Sequence, residues 1–555
     1  MNKFITHCQY ALLMMTLSTQ GCTDSNNKAT PYIKHIRYFA NQVLSHGRDV
    51  YGTPSPLFVD GIHTQTLKPA KWVSEGGDAW IISNFASQQS LMRLLDGLTA
   101  VTNDKTYRQA AEAATAYALE NLRAENGLMY WGGHMAWDLE KDRPMGHRSD
   151  KQVHELKYHQ PYFELMWRVN PKSTAEMMQM IWAAHILDEA SLSYNRHALF
   201  TQPYQPHRHQ TFQKDIKVPL EARKKVRAFA NVVPPLLRSG VLLSLLSGKD
   251  EALKSSRNLL YRWQQNRHPE TGLSGGELSY GVTDRAQLAL AHVHPQICEA
   301  QIVASGHQTS RYHSLPLAQM QAAEKLINAG KNFKGYASEM ISWAADDLIT
   351  YARECYDPSK GVFVAKMTDG TPIQWQKAKS GYYSPANFKP RKPDSRLYWG
   401  YTLAYRFTHD PEHWSMLRKL GIEMNIGDIG FPDGRSRKLA AQTQSRDWRL
   451  IYALLELEKI TGDSCFLDLA CLIADNIVAI QTTTGLYPRA GRQYARTSDQ
   501  KPLALLHLVA ALTHETALLP QPVMDHAFYH AVYHGATRDQ QKINDKRTVD
   551  NLVFY

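Results

Sequence analysis

Cysteine is scarce in this chain, with 6 in 555 residues. Cys8 and Cys22 lie at the extreme N-terminus, leaving Cys298, Cys355, Cys465 and Cys471. None forms a Cys-x-x-Cys pair, which excludes a zinc knuckle and a dithiol redox motif. Cys465 and Cys471 are spaced so that they do not face each other on a helix, so the thiols read as buried and free. No lysine/arginine run with interleaved aromatics is present, which argues against a nucleic-acid partner. No apolar run beyond the N-terminus reads as a membrane span. Strand-like alternation is also scarce, apart from short pieces near Gly361 to Lys366 that could pair. What is present is a soluble, folded composition, 43% hydrophobic and 21% charged, with a net charge of +11. That excess serves solubility or attraction for a polyanion. Without a nucleic-acid patch, the polyanion of choice is an acidic polysaccharide.

Residues 1–22 read as an export signal: Lys3, a short apolar core from Tyr10 to Leu17, then Gly21-Cys22. Gly21 before Cys22 also resembles a lipoprotein box, although Thr19 and Gln20 depart from it. These features predict a periplasmic or cell-surface protein, with any membrane attachment through an N-terminal lipid. Residues 23–30 form a polar tether, and residues 31–555 are expected to be one catalytic domain.

A repeated helical hairpin decides the fold expectation. Leu91 to Asp96, a turn at Thr102-Asn103-Asp104 and a helix to Leu122 lead into Asn126-Gly127-Leu128. Leu242 to Leu246, Gly248-Lys249-Asp250 and a helix through Trp263 lead into Thr271-Gly272-Leu273. Leu450 to Ile460, Thr461-Gly462-Asp463 and a helix to Ile480 lead into Thr484-Gly485-Leu486-Tyr487. Asp346 to Tyr351 with Gly361-Val362-Phe363 keeps the second half. The turns offer C-cap glycine and N-cap aspartate, and Leu454, Leu455, Leu457 and Ile460 give a face to bury. The 34-residue period of a TPR array is missing. The expectation is therefore an all-α-dominated (α/α) toroid, or barrel, of six or seven hairpins with minor β extensions. Its loop aromatics Tyr130, Trp131 and Tyr487 would stack on sugar rings.

Chemistry concentrates in Trp131-Gly132-Gly133-His134, His154-Glu155-Leu156-Lys157 and Asn195-Arg196-His197. Two imidazoles and a carboxylate suit a first-row divalent ion better than a structural zinc. Arginine beside the last of them would grip an acidic substrate. Glu155 reads as lying on a helix starting near Lys151. His147, His154, His159 and His185 crowd the same stretch, and spacing alone does not choose among them.

The run Tyr130 to His134, Val153 to His159 with Pro161-Tyr162, Asn170-Pro171, Trp182 to His185 and Asn195-Arg196-His197 resembles polysaccharide lyase family 2. So does His268 to Leu273 followed by Asp284-Arg285-Ala286. That family contains pectate lyases and exopolygalacturonate lyases built on an α/α barrel. The resemblance covers roughly residues 130 to 290, with weaker echoes at Tyr398 to Tyr405 and Arg446 to Leu457. It implies metal ligands at His134, Glu155 and His197, with Mn2+ as the ion and Mg2+, Co2+ or Ni2+ as substitutes. It also implies Arg196 as Brønsted base and Arg285 as a second functional arginine. Gln287-Leu288-Ala289-Leu290 and the stretch between His197 and Val218 depart from the family pattern, which bears on chain-length preference.

The implied activity is β-elimination on polygalacturonate or its oligomers, giving unsaturated uronides. Lys157 and Trp131 are the expected substrate contacts; Arg396 and Arg449 read as salt-bridge residues that could also meet carboxylates. An arginine normally titrates above about 12, so serving as a base requires a desolvated pocket. Otherwise Arg196 clamps charge, and Lys157 or a hydroxide on the ion takes the proton. Two rivals are carried: an α/α-barrel glycoside hydrolase pairing Asp138 or Glu140 with Glu155, and a non-catalytic surface glycan-binding protein.

Overall fold

The computed structural model describes residues 28–73, 79–133, 135–146, 153–156, 159–204, 212–220, 228–279, 299–306, 310–373 and 388–524. The first helix, α1, covers residues 28–46. It therefore starts inside the expected tether, and Ala29 is already buried. Thirteen further helices follow among the described residues: α2 (Gln89–Thr102), α3 (Lys105–Asn121), α4 (Phe163–Val169), α5 (Pro171–His185), α6 (Val233–Ser247), α7 (Glu251–Gln265), α8 (Leu315–Ala329), α9 (Lys334–Cys355), α10 (Ser395–Thr408), α11 (Pro411–Glu423), α12 (Trp448–Thr461), α13 (Cys465–Val478) and α14 (Lys501–Leu512).

The turn chemistry works as the sequence suggests, except at Asp250. Asn103, Gly248 and Gly462 all close their helices in the left-handed conformation, at φ 58°, 73° and 68°. Asp104 caps α3 by accepting from Thr106 N, and Asp463 accepts from Cys465 N at the start of α13. Asp250 stands at the head of α7 without capping it and pairs with Lys254 instead.

Even-numbered helices form an inner ring. α4 meets α6, then α6 packs on α8, α8 on α10, α10 on α12, α12 on α14, and α14 back on α2. Tyr162 closes the remaining step from α2 to α4: its amide donates to Gln89 Oε1 and its hydroxyl to Asp96 Oδ2. Odd-numbered helices sit outside. α1 fills the last outer place, since Tyr32 Oη donates to Cys471 O and Asp475 on α13, and Tyr107 on α3 donates to Asn41. The result is a closed toroid of seven inner and seven outer helices among the described residues, the upper end of the expected range.

Composition explains which helix goes where. α6 buries Val233 through Ser244 without interruption, whereas α7 buries only one stripe, including Leu253, Leu259, Leu260 and Trp263. The stretch Ala230–Ser247 is apolar and long enough to cross a membrane, yet 83% of it is buried inside the toroid. Gly240 permits the α6–α7 contact: an added Cβ would meet Ala252 O at 2.8 Å and collide with Ser256 Oγ. Cys355, Cys465 and Cys471 are free thiols, as expected, although only Cys355 is buried and the other two are half-buried.

The two rims differ. Near the C-terminal ends of the inner helices, ion pairs tie neighbours together: Arg406 bridges Glu324 and Glu456, and Arg168 and Arg108 share Asp96. The opposite rim, at the inner-helix N-termini, carries short antiparallel ribbons. Tyr356–Asp357 pairs with Val362–Phe363, as the pieces near Gly361 suggest, and Val153–Glu155 pairs with His197–Leu199.

Candidate functional site

Glu155 is not on a helix. It ends the strand Val153–Glu155, and its register partner is His197. Three residues are too few for a helical turn to compete with a ladder that His197–Leu199 completes. Pairing brings the two side chains together: His197 Nε2 lies 3.4 Å from Glu155 Oε1. Arg196 Nε reaches the same oxygen at 3.4 Å, and its guanidinium lies 5.7 Å from the centre of the Phe229 ring. Glu155 is 1% exposed, while His197 remains half-buried. A carboxylate, an imidazole and a guanidinium thus meet at one strand end.

His134 lies outside the described residues, as do Lys157 and Arg285. The described backbone beside His134 is nevertheless informative. Gly132, at φ +115°, packs so closely on the ribbon that an added Cβ would stand 2.7 Å from Glu155 O. Asn84 pinches this glycine, donating from Nδ2 to Gly132 O and accepting from Gly132 N. Gly132, two residues ahead of His134 in the sequence, is therefore held against Glu155. Among the described residues alone, no group of three or more His, Cys, Asp or Glu could hold a metal. The donors that are described, a carboxylate and an imidazole nitrogen facing one another, have the mixed oxygen and nitrogen chemistry that Mn2+ accepts.

Trp131 needs correction as a sugar platform. Its side chain is fully buried, and its indole N–H donates to His154 Nε2 at 2.7 Å. An indole can only donate, so His154 carries its proton on Nδ1 and gives it to His185 Nε2 at 2.8 Å. His185 then donates from Nδ1 to Asn195 O, also at 2.8 Å. One tautomer chain satisfies all three links, and both rings are neutral. Burial, with the neighbouring imidazole adding to it, holds His154 well below the usual histidine range. Burial takes His185 down to about 3. The relay ends on the carbonyl preceding Arg196. Arg196 O in turn accepts from Leu156 N, so both sides of the arginine are fixed. The histidine-crowded sequence contained these residues but could not distinguish relay from ligand. Only burial and the indole partner do that. Tyr487 is also buried, and Tyr130 packs on Phe200 with ring centres 4.8 Å apart.

Arg396 and Arg449 each pair with the aspartate capping their own helix, Asp394 and Asp447. Asp138 lies at the far end of the strand Met135–Asp138, where its Oδ1 accepts from Glu140 N.

A closed ring of helical hairpins bearing an acid–imidazole–guanidinium site on one rim defines the class, an α/α-toroid enzyme. The same fold occurs in the α-1,2-mannosidase from Trichoderma reesei, with a TM-score of 0.50 at 9% identity over 88% of this chain and 93% of that one. The chain belongs to the family described as periplasmic pectate lyase, which matches residues 55–532. It is similar to a pectate disaccharide-lyase of Dickeya dadantii (strain 3937), 24% identical over 544 residues, or 94% of this chain and 96% of the relative. It is accordingly a polysaccharide lyase.

Proposed function

We propose that this enzyme cleaves polygalacturonate, or its oligomers, by metal-assisted β-elimination at the rim ribbon, and that His134, Glu155 and His197 hold Mn2+ or a related divalent ion. The observation carrying this reading is the meeting of Glu155, His197 and Arg196 within 3.4 Å contacts. When bound, such an ion supplies Lewis-acid neutralisation of the uronate carboxylate, which acidifies the neighbouring C5–H. Arg196 accepts the C5 proton, the C4–C5 double bond forms, and the C4–O bond breaks, with the leaving oxygen taking a proton from water. Arg196 is fixed in position for this step: its side chain is 16% exposed, lies against Phe229, and is held by a backbone bonded on both sides, and an ion holding Glu155 would draw off the carboxylate that favours the charged guanidinium. Lys157 and Arg285 contact substrate carboxylates. The disaccharide named for the Dickeya relative is the product we assign, released from oligomers. Residues 1–22 direct export, Cys22 is the site of lipidation, and the remainder works as one domain.

Ultraviolet absorbance of the unsaturated product tests the chemistry. Chelated enzyme supplied with polygalacturonate should be silent and recover on adding Mn2+. Turnover that survives complete chelation, or reducing sugar released without absorbance, would refute the reading. Arg196→Lys tests the base separately: lysine titrates near about 10.4 against above about 12 for arginine, so the pH–rate profile should move to lower pH. A clamp would lower the rate without moving the profile.

A further inference from the structure

A second basic site stands on the same rim, lined by residues other than those of the ribbon. Its cavity measures about 280 Å3 and is lined by Arg446, Arg489, Arg496 and Lys501, with Asp499 as the single carboxylate. Clefts for drug-sized ligands run from about 300 to 1,000 Å3, so this one suits a single sugar unit. Lys501 Nζ lies 3.0 Å from Asp499 and offsets its charge. Arg496 is 9% exposed, while Arg446 and Arg489 lie at the surface. A desolvated guanidinium at the wall, with two more at the mouth, is a receptor for a carboxylate.

The cavity is also placed to serve the catalytic ribbon. Arg446 stands two residues ahead of α12 and Lys501 opens α14, so two inner helices turn their positive ends toward it. The strand Tyr494–Arg496 pairs with Gly61–His63. Next to that pair, Thr497 N donates to Asp60 O, and Asp60 Oδ1 accepts from Asn84 N. Asn84 is the residue that pinches Gly132 beside Glu155. One continuous hydrogen-bonded frame therefore carries both the ribbon and the cavity. The cavity follows the exit loop of the α12–α13 hairpin, at Gly485-Leu486-Tyr487, just as the His134 segment follows the exit loop of α2–α3.

We propose that this cavity is a distal subsite that captures a galacturonate carboxylate of the pectate chain remote from the scissile bond, so that long chains bind better than short ones. This rests on pectate being the substrate. The test is the double variant R446A/R489A, which removes two surface arginines outside the catalytic ribbon. R353A/R435A, which removes two other exposed arginines, is the charge-matched control. KM for polygalacturonate should rise roughly tenfold in R446A/R489A, the size of one lost charge-assisted contact, with kcat unchanged. KM for trigalacturonate should change less than about twofold, and the control should match the parent. Retention in a polygalacturonate gel containing chelator gives a second readout that needs no turnover. The parent and the control should be retarded more than R446A/R489A. Equal retardation of all three, no retardation of the parent, or an equal rise in KM for both substrates would overturn the subsite. A retarded parent that turns nothing over would sink the catalytic reading alone, leaving the gel comparison to decide the subsite.

Discussion

Helix α6 and the ribbon that carries Glu155 belong to the same toroid but are built on opposite terms. α6 buries twelve of its fifteen residues, most of them apolar, and owes its place to packing against α5, α7 and α8. The ribbon is six residues long, Val153–Glu155 against His197–Leu199, and a two-stranded piece that short has little stability of its own. It is held by specific polar links: Asn84 to Gly132, Leu156 N to Arg196 O, and the Trp131–His154–His185–Asn195 relay. Stability thus resides in the ring, the chemistry we propose lies in the rim, and single substitutions should separate the two.

The largest effect is expected at the rim. Glu155→Gln should lower kcat/KM by at least about 10^2- to 10^3-fold, the scale for losing one preorganised electrostatic group. Its cost in unfolding free energy should stay below about 2 kcal/mol. A large loss of stability with full activity per folded molecule would reverse the roles assigned to ring and rim. Leu454→Ala is the mirror experiment. Its side chain is fully buried on α12, so unfolding should become easier by about 2–5 kcal/mol while kcat of the folded fraction is unchanged.

The relay lies between these extremes and sharpens the comparison. Trp131→Phe keeps most of the ring volume but removes the indole N–H, leaving His154 Nε2 without its donor. Outer hydrogen-bond partners of this kind are worth about 10- to 100-fold in activity or metal affinity. The loss should appear in kcat, with the melting temperature nearly unchanged. If Trp131 instead stacked on sugar, KM for every substrate would rise and kcat would hold.

The smallest effect concerns Glu189, in the turn just beyond α5. Burial raises its carboxyl to about 7, with Asp188 adding to the rise and Trp182 opposing it. The unfolded chain releases that proton near about 4.3, so the native state binds more protons between these values. Stability must then fall as pH rises from about 4.3 to 7, and level off above. Glu189→Gln should flatten that slope in thermal melts across the window. A slope unchanged by the substitution would mean that the half-buried carboxyl does not hold its proton in the native state.

The same division governs what could be read from the chain. Helices with long apolar periodicity and capped turns were legible, down to the left-handed glycines Gly248 and Gly462. The closure of the ring by α1 was not, because it depends on contacts such as Tyr32 with Cys471 and Asp475, more than four hundred positions away. The meeting of Glu155, Arg196 and His197 was anticipated only through family resemblance. The strand that presents Glu155 is too short to leave a period, and the sequence around it reads as helical. Trp131 misled for a related reason: an aromatic in a loop suggests a sugar platform, while its burial and its histidine partner exist only in three dimensions. The basic cavity draws on Arg446, Arg489, Arg496 and Lys501, scattered over more than fifty positions and gathered where the strand Tyr494–Arg496 meets the N-terminal ends of α12 and α14.

The most direct test of the account is a Mn2+ titration of chelated protein, followed by electron paramagnetic resonance, on the parent and on Glu155→Gln and His197→Ala. The parent should take up one ion per chain, and each substitution should weaken uptake by at least about tenfold while the fold persists. Uptake that is absent in the parent, or undiminished in both variants, would contradict it.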